Sequence, residues 1–490
     1  MSLAKRVFHN TIIQIAGKIV STVLGLLALA FITRYLGRTG FGEYTTVLTF
    51  LTFFAVIADF GLTLVTVQMI SARGAEENKI LNNIFSLRLI SILAVLGLAP
   101  LTVAFFPYSP AVKIGVLVAL AAFIFPALNQ VIIGLFQKKL SMGRDAVAEV
   151  LSRLVLLIGI ILTKKFDTGL NGILWASVAS AAAGFAGHYL LAVKFAFIKL
   201  EFDWMIWKQI LTKSWPLAIT IVLNLIYLRA DTLFLSLFRG VDEVGLYGAT
   251  YKVIDILTTI PFMFAGLILP ILTTAWSDKA QDYFKSVLQK SFDFMALIAI
   301  PLIVGAQFIG QPIMTAIAGK EFAASGSILR ILIFAVAAIF LGTMFSHAVI
   351  ALDKQKKMIG YYIFTSLTAV AAYLFLIPKY SYFGAAAVTI YSETLIAIFS
   401  AICVFKYSRF RPNLTLSLKS LASAAIMGLG LYCLRLFDQT GLGGLIITII
   451  IASALYFLAL YLLDGIKRSD LKIIFGRQKK SGGPTYTTNY

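Results

Sequence analysis

Cysteine is nearly absent from this chain, with two residues in 490, Cys403 and Cys433, both inside apolar stretches. That excludes a disulfide framework and any Cys-x-x-Cys redox or metal pair, and no metal-ligand spacing is present elsewhere. Charge is scarce as well: Asp, Glu, Lys and Arg make up 13% of residues, about half their share in a soluble domain. Carboxylates are the rarer sign, 22 against 42 cations, and histidine occurs three times. No polar segment is long enough to fold as a domain of its own.

What fills the chain is hydrocarbon. Hydrophobic residues account for 60% of it, and the mean hydropathy is +0.91. About fourteen apolar runs, the first near 12–32 and the last near 443–463, each approach the ~20 residues that span a ~30 Å bilayer core. The runs are continuous rather than alternating, so they read as helices and not as barrel strands. Lys5 and Arg6 precede the first run as in a signal peptide, but it is long and lacks a small-x-small cleavage site; we read it as the first span.

The net charge of +20 follows the topology. The N-terminus, every second loop and the C-terminal tail hold 27 cations, whereas the opposite loops hold seven. That bias places both termini and the cation-rich loops in the cytoplasm. The excess of basic residues then reflects orientation and attraction to anionic lipid heads, not nucleic-acid binding.

One turn signature occurs twice. Gly37-Arg-Thr-Gly-Phe-Gly42-Glu-Tyr44 returns as Gly240-Val-Asp-Glu-Val-Gly245-Leu-Tyr247, each in a short break between apolar runs. Two further matches follow in the same order, Gly134 to Lys139 with Ala351 to Lys357, and Lys165-Phe166 with Lys379-Tyr380. The expected architecture is an all-α membrane protein with two parallel-repeat six-helix lobes, 1–195 and 214–406. Residues 196–213, rich in Trp and Lys, read as an interfacial amphipathic linker. Two further transmembrane helices lie in 407–465, and 466–490 form a polar cytoplasmic tail.

Several of these residues form a familiar pattern. Asn10, Arg34-Tyr-Leu-Gly37 with Gly42 and Tyr44, and Ala58-Asp59-Phe60-Gly61-Leu62 are joined in the second half by Asp231, Gly245-Leu-Tyr247, Pro261 and Gly384-Ala-Ala-Ala. The set resembles the polysaccharide transporter branch of the MOP flippase superfamily, which includes the Wzx-type O-antigen flippases. The resemblance implies flipping of undecaprenyl-diphosphate-linked oligosaccharide, an O-antigen or other surface-polysaccharide unit, by alternating access in a bacterial cytoplasmic membrane. It further implies a cavity lined by the first two spans of each lobe and a possible association with polysaccharide polymerase machinery. No cofactor is expected, although a coupling proton or Na+ is compatible with the pattern.

Ionisable residues at membrane depth cost about 2.5–3.5 kcal/mol each on insertion scales, so each needs a partner or a purpose. Lys18, Asp59, Arg229, Asp231, Lys252 and Asp255 fall in the four expected cavity spans. Lys18, Arg229 and Lys252 are the candidate diphosphate contacts, since cations in a low-dielectric cleft replace lost hydration. Asp59, Asp231 and Asp255 are candidates for ion coupling or gating. The alternative is local pairing, Lys252 with Asp255 at i,i+3 and Glu149 with Arg153 at i,i+4. Arg88, Asp293, Arg330 and Arg435 lie near span ends, where snorkelling is the simpler reading.

The bland reading of Gly37, Gly42, Gly240 and Gly245 is tight turning of the outer hairpins, with Tyr44 and Tyr247 in the aromatic belt. The same hairpins could form an outer gate. Pro261, with Pro216, Pro270 and Pro301, marks bending points. Two rival functions remain on the sequence alone: a multidrug or small-solute antiporter, and a membrane enzyme of glycan assembly. Span 1 carries Lys18 and no carboxylate, which weakens the first; the lack of an extramembrane loop weakens the second.

Overall fold

A computed structural model describes residues 3–71, 76–434 and 441–465, and among these the regular structure is helical. The first half holds α1 (Leu3–Asp59), α2 (Leu62–Ile70), α3 (Glu77–Gly97), α4 (Ala99–Val103) and α5 (Pro110–Ala119). It continues with α6 (Ala121–Lys138), α7 (Met142–Phe166) and α8 (Gly169–Ala192). The second half comprises α9 (Trp204–Phe238), α10 (Val241–Ser277), α11 (Gln281–Ala318), α12 (Ser325–Ala351) and α13 (Gln355–Ser408). Last come α14 (Thr415–Leu434) and α15 (Leu442–Leu462), which pack on each other and on α11.

Among the described residues twelve helical segments are long and apolar enough to cross a membrane. Two of them, Ala16–Asp59 and Gln355–Ser408, run 44 and 54 residues, well beyond the ~20 residues of one crossing. Each breaks inside. Gly37 sits at φ 64° in α1 and Ser381 at φ 55° in α13, three residues after Pro378. Counted on both sides of these breaks, the spans among the described residues number fourteen. The protein is a multi-pass membrane protein of the expected class.

Contacts sort the loops onto two ends. At one end Tyr35 bonds Asp167 (3.0 Å), Glu43 accepts from Ser109 (2.8 Å), and Arg34 donates to the carbonyls of Ala316 and Ile317 at 2.7 and 2.8 Å. At the other, Lys138 pairs with Glu77 (2.7 Å), Lys79 with Asp203 (3.0 Å), and Arg144 donates to Leu191 O (2.7 Å). α1 runs from this second end to Gly37 and back, because Gly17 packs on Ala146 and Gly61 on Ser214. Gly37 therefore turns a transmembrane hairpin, as its positive φ allows.

The two ends differ in how their cores are built. Near Gly37 a single hydrophobic core crosses from one half to the other, joining Phe41 and Val47 to Val244, Leu246, Tyr247 and Phe322. At the opposite end there are two separate cores, one around Val65, Ile84 and Phe136, the other around Phe284, Phe345 and Val404. The halves are sealed at the Gly37 end.

The segment between the halves departs from expectation. Residues 196–203 form an extended strap rather than a helix. Its amides donate in turn to buried polar groups of α3: Lys199 N to Asn82, Glu201 N to Ser86 and Asp203 N to Asn83. Asp203 then caps α9 through Met205 N and Ile206 N, and Trp204 to Phe238 continue as one helix. Lys79 beside Asp203 holds its carboxyl below the usual range. A separate amphipathic helix is absent because this cap starts a helix that nothing stops before the span begins.

Candidate translocation cavity

The doubled motif proves to be an interface with itself. Thr39 donates to Asp242 at 2.6 Å across the two halves. A Cβ on Gly42 would lie 1.8 Å from Val241 O and 3.2 Å from Gly245 N; one on Gly245 would lie 2.3 Å from Arg38 O and 3.1 Å from Gly42 N. A Cβ on Gly248 would lie 2.5 Å from Thr45. Thr39/Asp242, Gly42/Gly245 and Thr45/Gly248 are each residue against repeat equivalent, and the two carbonyl contacts are mirror partners. This is the signature of a local two-fold axis between like surfaces. Only glycine permits the approach at 42 and 245. Gly240 has no such role: its φ is −68° and a Cβ there would meet open space.

The tyrosines of the motif do not stand in an aromatic belt. Tyr44 and Tyr247 are buried, at 8% and 0% exposure. Tyr247 donates to Asp231 Oδ2 at 2.7 Å. Asp231, itself fully buried, also accepts from Tyr251, from Thr389 at 3.1 Å, and from the amide and hydroxyl of Thr232 at 2.5 and 3.1 Å. Five donors on one carboxylate account for a buried charge that is in no ion pair among the described residues, with Arg229 acting on it only from a distance.

Below the sealed end the cations gather, in a different grouping from the one expected. Arg229 pairs with Asp255 at 2.6 Å and lies 5.1 Å from the ring centre of Tyr251. Asp255 is thereby taken, and the i,i+3 pair with Lys252 does not form. Lys252 is exposed although it sits eleven residues along α10, about 17 Å from that end of the helix. Asp255, Arg229 and Arg153 lie within electrostatic reach of its ammonium. Exposed at that depth and within reach of Arg153 on α7, the side chain faces the space between the halves.

Arg153 was the residue missed. Its expected partner Glu149 binds Lys18 (3.2 Å) and Ser21 (2.8 Å) instead, because α1 packs along α7. Among the described residues Arg153 and Lys252 are in no ion pair. Lys18 is held instead by Glu149 of α7. Arg153, Arg229 and Lys252 thus lie together at this depth, with Asp255 paired to Arg229 and with Asp231 and Glu393 acting on that guanidinium from within the second half.

The remaining expectations fall as follows. Asp59 pairs with Arg88, which is 3% exposed and also donates to Thr63 at 3.0 Å. Arg88 therefore does not snorkel. Arg330 Nε is buried without a partner, Asp293 accepts from Gln289 at 2.8 Å, and Arg435 lies outside the described residues. Pro261 and Pro270 sit inside α10, which runs on through both.

Parallel helical repeats around a cationic, membrane-embedded cavity define a membrane transporter. Residues 7–276 match the family model "Polysaccharide biosynthesis protein", and the chain belongs to that family, within the polysaccharide transporter branch of the MOP flippases. Among its relatives is the capsular polysaccharide biosynthesis protein CapF of Staphylococcus aureus, 24% identical over 58% of this chain and 72% of that protein. A putative O-antigen transporter of Shigella dysenteriae is 26% identical over 39% of this chain and 47% of its own. The fold is similar to that of the lipid II flippase MurJ in an inward closed conformation, with TM-score 0.75 and 17% identity over 92% of this chain and 98% of MurJ. An inward-facing MATE-family multidrug transporter gives TM-score 0.63 at 15% identity, covering 81% and 97%.

Proposed function

We propose that the protein flips a polyprenyl-diphosphate-linked oligosaccharide from the cytoplasmic to the outer leaflet of a bacterial cytoplasmic membrane. The observation that carries this reading is the mid-depth trio Arg153, Arg229 and Lys252, of which only Arg229 is in an ion pair, with Asp255, among the described residues. A diphosphate leaving headgroup water needs cations that replace its hydration, and guanidinium groups fork onto phosphate oxygens. A cavity of this sign disfavours the cationic substrates of a multidrug antiporter.

In this reading Arg153, Arg229 and Lys252 seat the diphosphate while the lobes 1–195 and 214–406 rock about the shared axis. The sealed Gly37 end faces the periplasm and both termini face the cytoplasm. Lys18, tied to Glu149 near the other end, meets the substrate at entry. Asp59 and Arg88 brace that same mouth as a pair, and coupling to a proton or Na+ supplies direction. The polymerase that extends the flipped unit is the expected partner. No covalent step is required.

The test is deletion of the gene followed by leaflet-resolved analysis of lipid-linked glycans. Accumulation on the cytoplasmic leaflet, relieved by wild type but not by an Arg229→Gln, Lys252→Gln double variant of equal abundance, supports the proposal. Wild-type export by that double variant would sink the site.

A further inference from the structure

Within the second half lies a cavity of about 280 Å³ between α9, α10, α12 and α13. Glu393 lines it at 8% exposure, and its Oε1 is buried with no hydrogen-bond partner. Among the described residues no cation is paired with it. This carboxyl differs from Asp231, which five donors satisfy. A bare carboxylate in such a place is among the costliest groups a protein can hold. A carboxyl that carries a proton is neutral there, and its hydroxyl can find an acceptor.

Charge and titratable groups face Glu393 from each surrounding element. α9 brings Arg229, Asp231 and Tyr227, and α10 brings Asp255 and Tyr251. α12 brings His347, whose Nδ1 is tied to Thr343 O at 2.8 Å, and α13 brings Tyr362 and Tyr373. Arg229 is the one Lys or Arg among these, and its guanidinium already holds Asp255 at 2.6 Å. Ionised Glu393 and Asp255 would therefore compete for one guanidinium.

We propose that Glu393 is a proton-binding site whose occupancy sets the charge that Arg229 offers to the central cavity. With the proton on Glu393, Arg229 balances Asp255, Asp231 being held by its own five donors, and remains available to a diphosphate. Loss of the proton adds a further anion near the guanidinium and draws it inward, weakening its hold on the ligand. The site deepens the flippase reading and rests on it for the diphosphate step, although proton binding itself does not.

Two measurements on the purified full-length protein test this. Infrared titration should show a protonated-carboxyl C=O band that shifts in D2O and disappears as pH rises. The band should be lost in Glu393→Gln and moved but retained in Glu393→Asp. A band unchanged in Glu393→Gln overturns the proposal, as does one that responds to Na+ at fixed pH and not to pH. Calorimetric binding of geranylgeranyl diphosphate in detergent forms the second arm. Wild type should lose affinity as pH rises through the infrared transition, and Glu393→Gln should lose that dependence. The same pH dependence in Glu393→Gln overturns the link to Arg229. A titrating band with no diphosphate binding at any pH leaves the proton site standing and refutes the substrate reading.

Discussion

Thr39 and Asp242 are repeat equivalents, 203 positions apart, and they bond each other at 2.6 Å. The axis relating the halves therefore passes beside this pair, and motion of one half against the other must break or keep the contact. Cysteines at the two positions should crosslink under mild oxidation. If the Gly37 end opens during transport, the Thr39→Cys, Asp242→Cys variant loses glycan export when oxidised and regains it on reduction. Full export by the crosslinked form would show that this end stays shut.

Gly42 and Gly245 give a steric version of the same test. A methyl group at either position meets backbone carbonyl, which cannot swing aside as a flexible side chain can. Gly245→Ala should weaken the seal and shift the population towards a form open at this end. Spin labels placed across it should report longer distances than in wild type, and Gly240→Ala, with open space around it, should report no change.

Arg153 is expected to matter more than Lys18. Loss of one hydrogen-bonded charge on the ligand costs about 1.5–3 kcal/mol, so Arg153→Gln should lower diphosphate affinity about ten- to hundredfold. The Lys18→Glu, Glu149→Lys exchange should restore most of what either single change removes. An Arg153→Gln protein with wild-type affinity would return the trio to the sequence-based assignment.

Asp59 and Arg88 should behave as a structural pair. Removing Asp59 leaves a guanidinium 3% exposed and uncompensated, a loss of about 3–5 kcal/mol in buried pairs. Thermal denaturation should show Asp59→Ala strongly destabilised and the Asp59→Ala, Arg88→Leu double variant largely recovered. Equal stability of the two would point to a gating role for Asp59.

The long apolar runs and the spacing of the two Gly-x4-Gly-x-Tyr segments were enough to place the hairpins, because membrane burial is written along the chain. Ion pairing was not, since Glu149 could reach Arg153 on its own helix or Lys18 on a neighbour, and packing of α1 on α7 decided the matter. Arg153 was hidden by that choice. Tyr247 was misplaced for a related reason: a tyrosine near a span end suits the interface, and only the position of Asp231 in the adjoining helix draws it inward. The strap was unreadable because its amides bond to Asn82, Asn83 and Ser86, more than a hundred residues upstream.

At the axis Thr45 stands opposite Gly248, not opposite a second threonine, and Thr39 stands opposite an aspartate. A dimer of identical chains cannot hold unlike residues on its own axis, since any side chain placed there meets a copy of itself. Two threonines at 45 and 248 would collide, and two aspartates at 39 and 242 would repel. Joining the halves in one chain removes that restriction, so one partner can shrink while the other stays large, or one can donate while the other accepts. The closure at Gly37 is thus a fit that only a fused pair of lobes can make.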